Sequence, residues 1–193
     1  MAYGTLPVLG SIGAIRVCRP EQGQVGVTLD SPAALVMTDL TKVAAAVVSP
    51  QDTMDQAHAF MIKRGVRMLL AVDDEQSLAG IITTNDILGE KPVAVAQELR
   101  IRHCDILVAD VMTPAHRLEA FDMQSVKTSR VGQVVASLQH ARRHHALVVQ
   151  ESGDGQREVR GLFSLSQIAR QLGMPLALPA QAQSFAEIEA ALV

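Results

Sequence analysis

The sequence predicts an α+β protein made of one small unit repeated twice. Three observations carry that expectation. Short segments recur in the same order: Val36-Met37-Thr38 returns as Val111-Met112-Thr113, Leu69-Leu70-Ala71-Val72 as Ala146-Leu147-Val148-Val149, and Gly80-Ile81-Ile82-Thr83 as Gly161-Leu162-Phe163-Ser164. Between these marks the apolar spacing switches from strand-like to helix-like and back, in the same order both times. Each copy has about 60 residues, too few to hold a comfortable core alone, so the two are expected to bury their open faces against one another.

In copy one, Val43 to Val48 is a short apolar, β-branched run that suits a buried strand. Thr53 stands three residues before Gln56, the spacing of a capping box. Met54, Ala57, Met61 and Ile62 then follow at helical spacing, and Gly65 is placed to end that helix. Met68 to Val72 and Leu78 to Ile82 flank an acidic turn and predict a hairpin. Thr84 or Asn85 is the expected cap of a short helix beginning at Asp86.

Copy two runs from Leu118 to Leu172 in the same order. Ser129 is the expected helix cap, and Val131, Val134, Val135 and Leu138 make the apolar stripe. Asp154-Gly155 marks the turn between strands Ala146 to Val149 and Val159 to Phe163, and Gly173 with Pro175 stops the last helix. The copy carries two small insertions, one before its first long helix and one in the hairpin turn.

Outside the copies, Ala14 to Cys18 reads as a strand in a Gly- and Pro-rich extension. Val93 to Ile101 reads as a linker helix with Pro92 at its start, and Ala186 to Leu192 as a short amphipathic helix. The chain thus divides into an extension (1–32), copy one (33–92), a linker helix (93–108), copy two (109–174) and a tail (175–193).

Composition excludes several function classes. With 17 Lys+Arg against 20 Asp+Glu the net charge is −3, so the basic surplus of a nucleic-acid binder is missing. One Tyr, four Phe and no Trp are poor material for stacking bases. No apolar run approaches the ~20 residues of a membrane helix. No basic residue precedes Arg16, which argues against a secretory signal. Two cysteines, Cys18 and Cys104, make neither a disulfide framework nor a four-cysteine zinc site. A soluble, cytoplasmic protein with reduced thiols is expected.

The Val-Met-Thr openings, the helix and hairpin, and the closing Gly-Ile-Ile-Thr-Thr-Asn-Asp at 80–86 resemble a CBS domain, and two in tandem resemble a Bateman module. The resemblance covers roughly residues 33 to 173. It implies, for each copy, a three-stranded sheet with two helices in the order strand-helix-strand-strand-helix, and a pseudo-two-fold packing of the pair. It also implies clefts for adenine nucleotides or adenosyl ligands, a regulatory and non-catalytic role, no obligatory cofactor, and pairing into homodimers.

The family often holds ribose through Thr or Ser and an Asp three residues on, a pattern that copy one keeps as Thr83 and Asp86. One helical turn separates them, and a carboxylate's two acceptor oxygens match a ribose diol. The plainer reading is that Asp86 caps its own helix. Copy two has Ser164 and Gln167, which lacks the carboxylate charge, so its site is expected to be weaker, altered or empty. An apolar base pocket in copy one is expected from Val47, Val48, Met68 and Leu69, residues that serve equally as core. Phosphate partners are expected from Lys63, Arg64 and Arg67 in copy one and from Arg142, Arg143, His144 and His145 in copy two. Cations at helix ends also simply favour the helix dipole.

His140 and His144 have the spacing of two metal ligands on one helix face, but no third ligand is evident, and His103-Cys104-Asp105 is no stronger. Three functions follow in order of support. The first is a sensor of AMP, ADP, ATP or S-adenosylmethionine that acts on a protein target in trans. The second is a ligand-free dimerising scaffold. The third is an enzyme using the histidines.

Overall fold

The repeated order of elements is realised as two four-stranded sheets, seen in a computed structural model that describes residues 26–153 and 155–178. The expected strand Ala14 to Cys18 and the expected helix Ala186 to Leu192 lie outside the described residues.

The first sheet combines β2 (Val47–Val48), β3 (Met68–Val72), β4 (Leu78–Thr83) and β5 (Thr113–Pro114) in that spatial order. The second combines β6 (Ala120–Asp122), β7 (His145–Glu151), β8 (Arg157–Ser164) and β1 (Thr38–Asp39), with β1 on the outside of β8. In each sheet a parallel pair (β2 with β3, β6 with β7) is followed by an antiparallel hairpin.

The outer strand of each sheet is exchanged. β1 opens copy one along the chain yet pairs with β8 of copy two, and β5 opens copy two yet pairs with β4 of copy one. Each sheet therefore has four strands where the family resemblance implied three. The cores follow the same rule. Ala33, Val36 and Met37 pack with Val131, Phe163 and Ile168 of copy two, while Ile106, Val108 and Val111 pack with Met54, Met61 and Ile82 of copy one.

Local chemistry explains the helices. α1 (Met54–Arg64) starts in a complete capping box between Thr53 and Gln56, and it ends at Gly65 in the left-handed conformation, φ 64°. α2 (Thr84–Leu88) is capped by Thr83 and not by Thr84 or Asn85, because the Thr83 hydroxyl takes the Asp86 amide while Asp86 reaches back to the Thr83 amide. The linker helix, α3 (Lys91–Leu99), has Pro92 in its first turn, and the one-turn helix α4 (Val108–Val111) follows.

The insertion before copy two's long helix is a helix of its own, α5 (Met123–Thr128). Ser129 closes α5, its hydroxyl bonding the Ser125 carbonyl at 2.7 Å. The cap of α6 (Val131–His140) is consequently Arg130, whose amide donates to the Gln133 side chain at 2.8 Å. The final helix, α7 (Leu165–Leu172), stops at Gly173, φ 67°.

Strand alternation decides which face each residue serves. Leu69, Ala71 and Val48 turn to the helices, whereas Met68 and Leu70 turn to the other sheet, where Leu147 meets them. Leu40, Ile81, Leu118 and Leu162 border this inter-copy core. The expected strand Val43 to Val48 shrinks to β2, and Val43 ahead of it is half exposed.

Candidate functional site

Two cavities, each of about 490 Å³, flank the contact between the copies. They adjoin at Arg67, Met68 and His145, which line both. Matching positions of the repeat are Met68 with His145, since their register partners are Thr83 and Ser164 at the ends of β4 and β8.

The first cavity takes Thr83, Asn85 and Asp86 from copy one and Glu119, Arg142, Arg143 and His144 from copy two. The Asp86 carboxylate is 16% exposed and already well engaged. Its Oδ2 accepts from the Thr83 amide at 2.9 Å and from the Thr83 hydroxyl at 2.7 Å, and its Oδ1 accepts from Lys91 Nζ at 3.3 Å. Lys91 in turn donates to the carbonyls of Val111 and Met112, so it ties the start of the exchanged segment to this carboxylate. Of the carboxylate's roughly four lone-pair directions, one remains on Oδ1. The expected two-oxygen grip on a ribose diol is therefore reduced to the single free direction on Oδ1, because Thr83 holds Oδ2.

Arg143 pairs with Glu119 at 3.3 Å on the rim. Arg142 sits at φ 51°, in the left-handed region where copy one places Gly65 at φ 64°. A bulky side chain held there costs backbone energy, and such strain collects where function requires the side chain.

The second cavity takes Ser164, Ser166, Gln167 and Arg170 from copy two and Lys63, Arg64 and Arg67 from copy one. Its apolar lining comes from Leu40, Val43, the Ala44–Ala46 run, Leu70 and Leu162. Gln167 faces Thr38, whose hydroxyl donates to its Oε1 at 3.2 Å. Gln167 is thus tied to the exchanged strand β1.

Several expected site residues come together and others do not. Thr83, Asp86 and Arg143 line the first cavity, Ser164 and Gln167 the second, and Arg67, Met68 and His145 both. Val47, Val48 and Leu69 line neither. Leu69 is fully buried on the helix side of β3, Val48 shares that core, and Val47 is half exposed. Alternation along β3 accounts for this: choosing Met68 as cavity-facing excludes its neighbour Leu69. His145 is no ready cation either. Burial, aided by the neighbouring charges of His144 and Arg67, lowers its pKa to about 4. α6 ends at His140, so His144 lies beyond the helix and the pair does not share a helix face. Among the described residues no group of three or more His, Cys, Asp or Glu side chains is placed to hold a metal, and no helix is long and apolar enough to cross a membrane.

Glu119, Lys91, Arg170 and the Leu40–Ala46 segment were not singled out from sequence. Glu119 and the Leu40–Ala46 segment line the cavity of the opposite copy, which matching residues within one copy does not reveal. The usable signal was the repeat itself: the segment before each first strand lines the opposite copy's cavity.

Known proteins share this fold. Residues 36–92 match the family described as CBS domain. An uncharacterized conserved protein from Pyrococcus horikoshii aligns over 79% of this chain and 100% of its own, with TM-score 0.55 and 20% identity. CBSX2, a CBS-pair protein from Arabidopsis thaliana, solved in complex with AMP, aligns over 72% of this chain and 94% of its own, with TM-score 0.53 and 21% identity. The CBS domain pair of protein MJ0100, solved with 5′-methylthioadenosine and S-adenosyl-L-methionine, aligns over 76% of this chain and 97% of its own, with TM-score 0.50 and 19% identity. No curated protein matches the chain.

Proposed function

The chain has the fold of a tandem CBS-domain pair, with a CBS domain at residues 36–92, and from that premise we propose that it is a non-catalytic regulatory module. It senses AMP, ADP, ATP or S-adenosylmethionine in the clefts between its copies and passes the signal on through its own dimer and a protein target. The observation that carries this reading is the pair of cavities, each walled by both copies, whose lining divides between polar or cationic groups and the inter-sheet apolar residues. A nucleotide needs this division, because its base prefers apolar walls and its phosphates prefer guanidinium groups. A ligand touching both copies also binds one relative placement of them better than another, and only such a difference in affinity shifts a population. AMP in CBSX2 and adenosyl ligands in MJ0100 support the ligand class.

In the first cavity, the remaining Oδ1 acceptor of Asp86 and the Thr83 hydroxyl meet the ribose, while Arg142 and Arg143 meet the phosphate. Calorimetric titration of the full chain with AMP, ADP, ATP and S-adenosylmethionine tests this. At least one ligand is expected to bind saturably at millimolar concentration or below. Asp86→Asn keeps an oxygen for the helix cap and removes the charge, and it should weaken AMP by roughly tenfold, the loss of one charged hydrogen bond. No binding of any of the four would leave a ligand-free scaffold as the better reading.

A further inference from the structure

The two cavities differ in charge in a way the repeat does not require. The first contains two carboxylates, Asp86 and Glu119, paired with Lys91 and Arg143; of its other guanidinium groups Arg142 is its own and Arg67 is shared with the second. The second, among the described residues, is lined by Lys63, Arg64, Arg67 and Arg170 and by no Asp or Glu. Arg64 lies over the Phe60 ring at 5.9 Å, and no carboxylate of the described residues lies within ion-pair reach of Lys63, Arg64, Arg67 or Arg170.

The helix starts differ in the same sense. In copy one the Asp86 carboxylate fills the first turn of α2, accepting the Thr83 amide and hydroxyl. In copy two the matching residue is Gln167, and its side-chain oxygen is turned to the Thr38 hydroxyl instead. Ser164 precedes α7 with no side-chain cap bond, and its hydroxyl meets Ser166. An internal anion occupies the first helix start. The second, an eight-residue helix, opens into a cavity that already collects four cations. A helix start without its own carboxylate favours an anion supplied from outside.

Helix dipoles account for Lys63, Arg64 and Arg170, which stand in last turns of α1 and α7. They do not account for cations of two helices and of the Arg67 segment converging on one acid-free space beside an uncapped helix. We propose that the second cavity is a polyphosphate cleft, which takes its ligand through a di- or triphosphate, while the first takes an adenosyl ligand with a single phosphate or none. The proposal rests on the reading that the cavities receive adenosyl ligands, but its anion requirement stands apart from the base. The apolar Ala44–Ala46 and Leu162 walls leave room for that base. Exposed cations make the interaction salt-dependent, since they are screened within about 8 Å at physiological ionic strength.

The decisive variant is Gln167→Asp, which gives α7 the self-capping carboxylate that α2 has. Inorganic tripolyphosphate, ATP and AMP are titrated into the full chain and into this variant, with urea unfolding of both. Gln167→Asp should be at least as stable as the wild type, yet bind tripolyphosphate and ATP roughly tenfold or more weakly, with AMP affinity changed less than twofold. Lys63→Gln with Arg170→Gln should reproduce that selective loss without adding a negative charge. Tripolyphosphate that fails to bind the wild type, or binds both variants as well as it binds the wild type, overturns the polyphosphate cleft even if AMP binds in an Asp86-dependent manner. Tripolyphosphate that binds and is lost in both variants, while no nucleotide binds, upholds the anion cleft and overturns the adenosyl reading instead.

Discussion

His145 shows how one residue can tie the copies together and make the pair sensitive to acid. It stands where copy one has Met68, in the wall common to both cavities. A methionine suits such a wall because it is apolar; a histidine suits it only while neutral. Burial holds its pKa near 4, against an ordinary 6.5. As pH falls, the unfolded chain takes up this proton first, so the folded state loses stability. The contribution is fully present above about pH 6.5 and is lost on the way to pH 4, a change of about 3 kcal/mol. His145→Met, which copies the matching residue, should flatten the fall in stability across that window, as read from urea unfolding at pH 7, 5.5 and 4.5. An unchanged acid slope would place the responsible group elsewhere. Asp39 responds at lower pH and in the usual carboxylate sense. Its side-chain bond to Arg160, with a second to Thr41, holds its pKa far below the ordinary carboxylate value. That bond fastens the exchanged strand β1 to β8.

At the scale of elements, much of the fold was readable in the sequence because its signals were local. The capping box of α1, the glycine after it, both hairpins and the proline-led linker helix each need only a few neighbouring residues. The strand exchange was not readable, because Thr38 and Thr113 carry no mark of which β-hairpin they will join. The same limit bears on the expected base pocket, of which Met68 does line both cavities. Val47, Val48 and Leu69 looked like cavity residues within one copy, but each cavity draws its walls from both.

The glycines of the repeated motif hold the trace of that exchange. A Cβ on Gly80 would come within 2.4 Å of the Thr113 carbonyl oxygen, and one on Gly161 within 2.7 Å of the Thr38 carbonyl oxygen. In both places the neighbour is backbone of the exchanged strand, which cannot step aside without giving up its pairing. Gly80→Ala and Gly161→Ala should each destabilise the chain by about 2–4 kcal/mol. Gly26→Ala, where a Cβ meets nothing within 4 Å, should stay within about 0.5 kcal/mol. Urea unfolding of the three variants measures this, and small, equal effects would show that the exchanged strands are loosely held.

At the scale of the whole molecule, exchange and the inter-sheet core make the two copies one structure. Ile106, Val108 and Val111 lie past the linker helix yet are buried in copy one, and Met68 and Leu70 meet Leu147 across the interface. The cavities exist only because the copies are held in this way, so ligand affinity and relative placement of the copies are linked. The asymmetry between the cavities then gives the pair two kinds of input: a cleft where two paired carboxylates stand beside Arg142, and an acid-free one lined by Lys63, Arg64 and Arg170, with Arg67 common to both. Candidate residues at the ends of β4 and β8 were legible from the motif. Their differing states were not, since Lys91 reaches Asp86 from the next helix and Thr38 reaches Gln167 from the other copy.

The most direct test is mass spectrometry of the small molecules held in excess on the protein side after equilibrium dialysis of the purified chain against an equimolar millimolar mixture of AMP, ADP, ATP and S-adenosylmethionine. The account predicts adenosyl compounds in excess in proportion to the chain, with a di- or triphosphate among them that Gln167→Asp no longer retains. An excess of none of the four would contradict it.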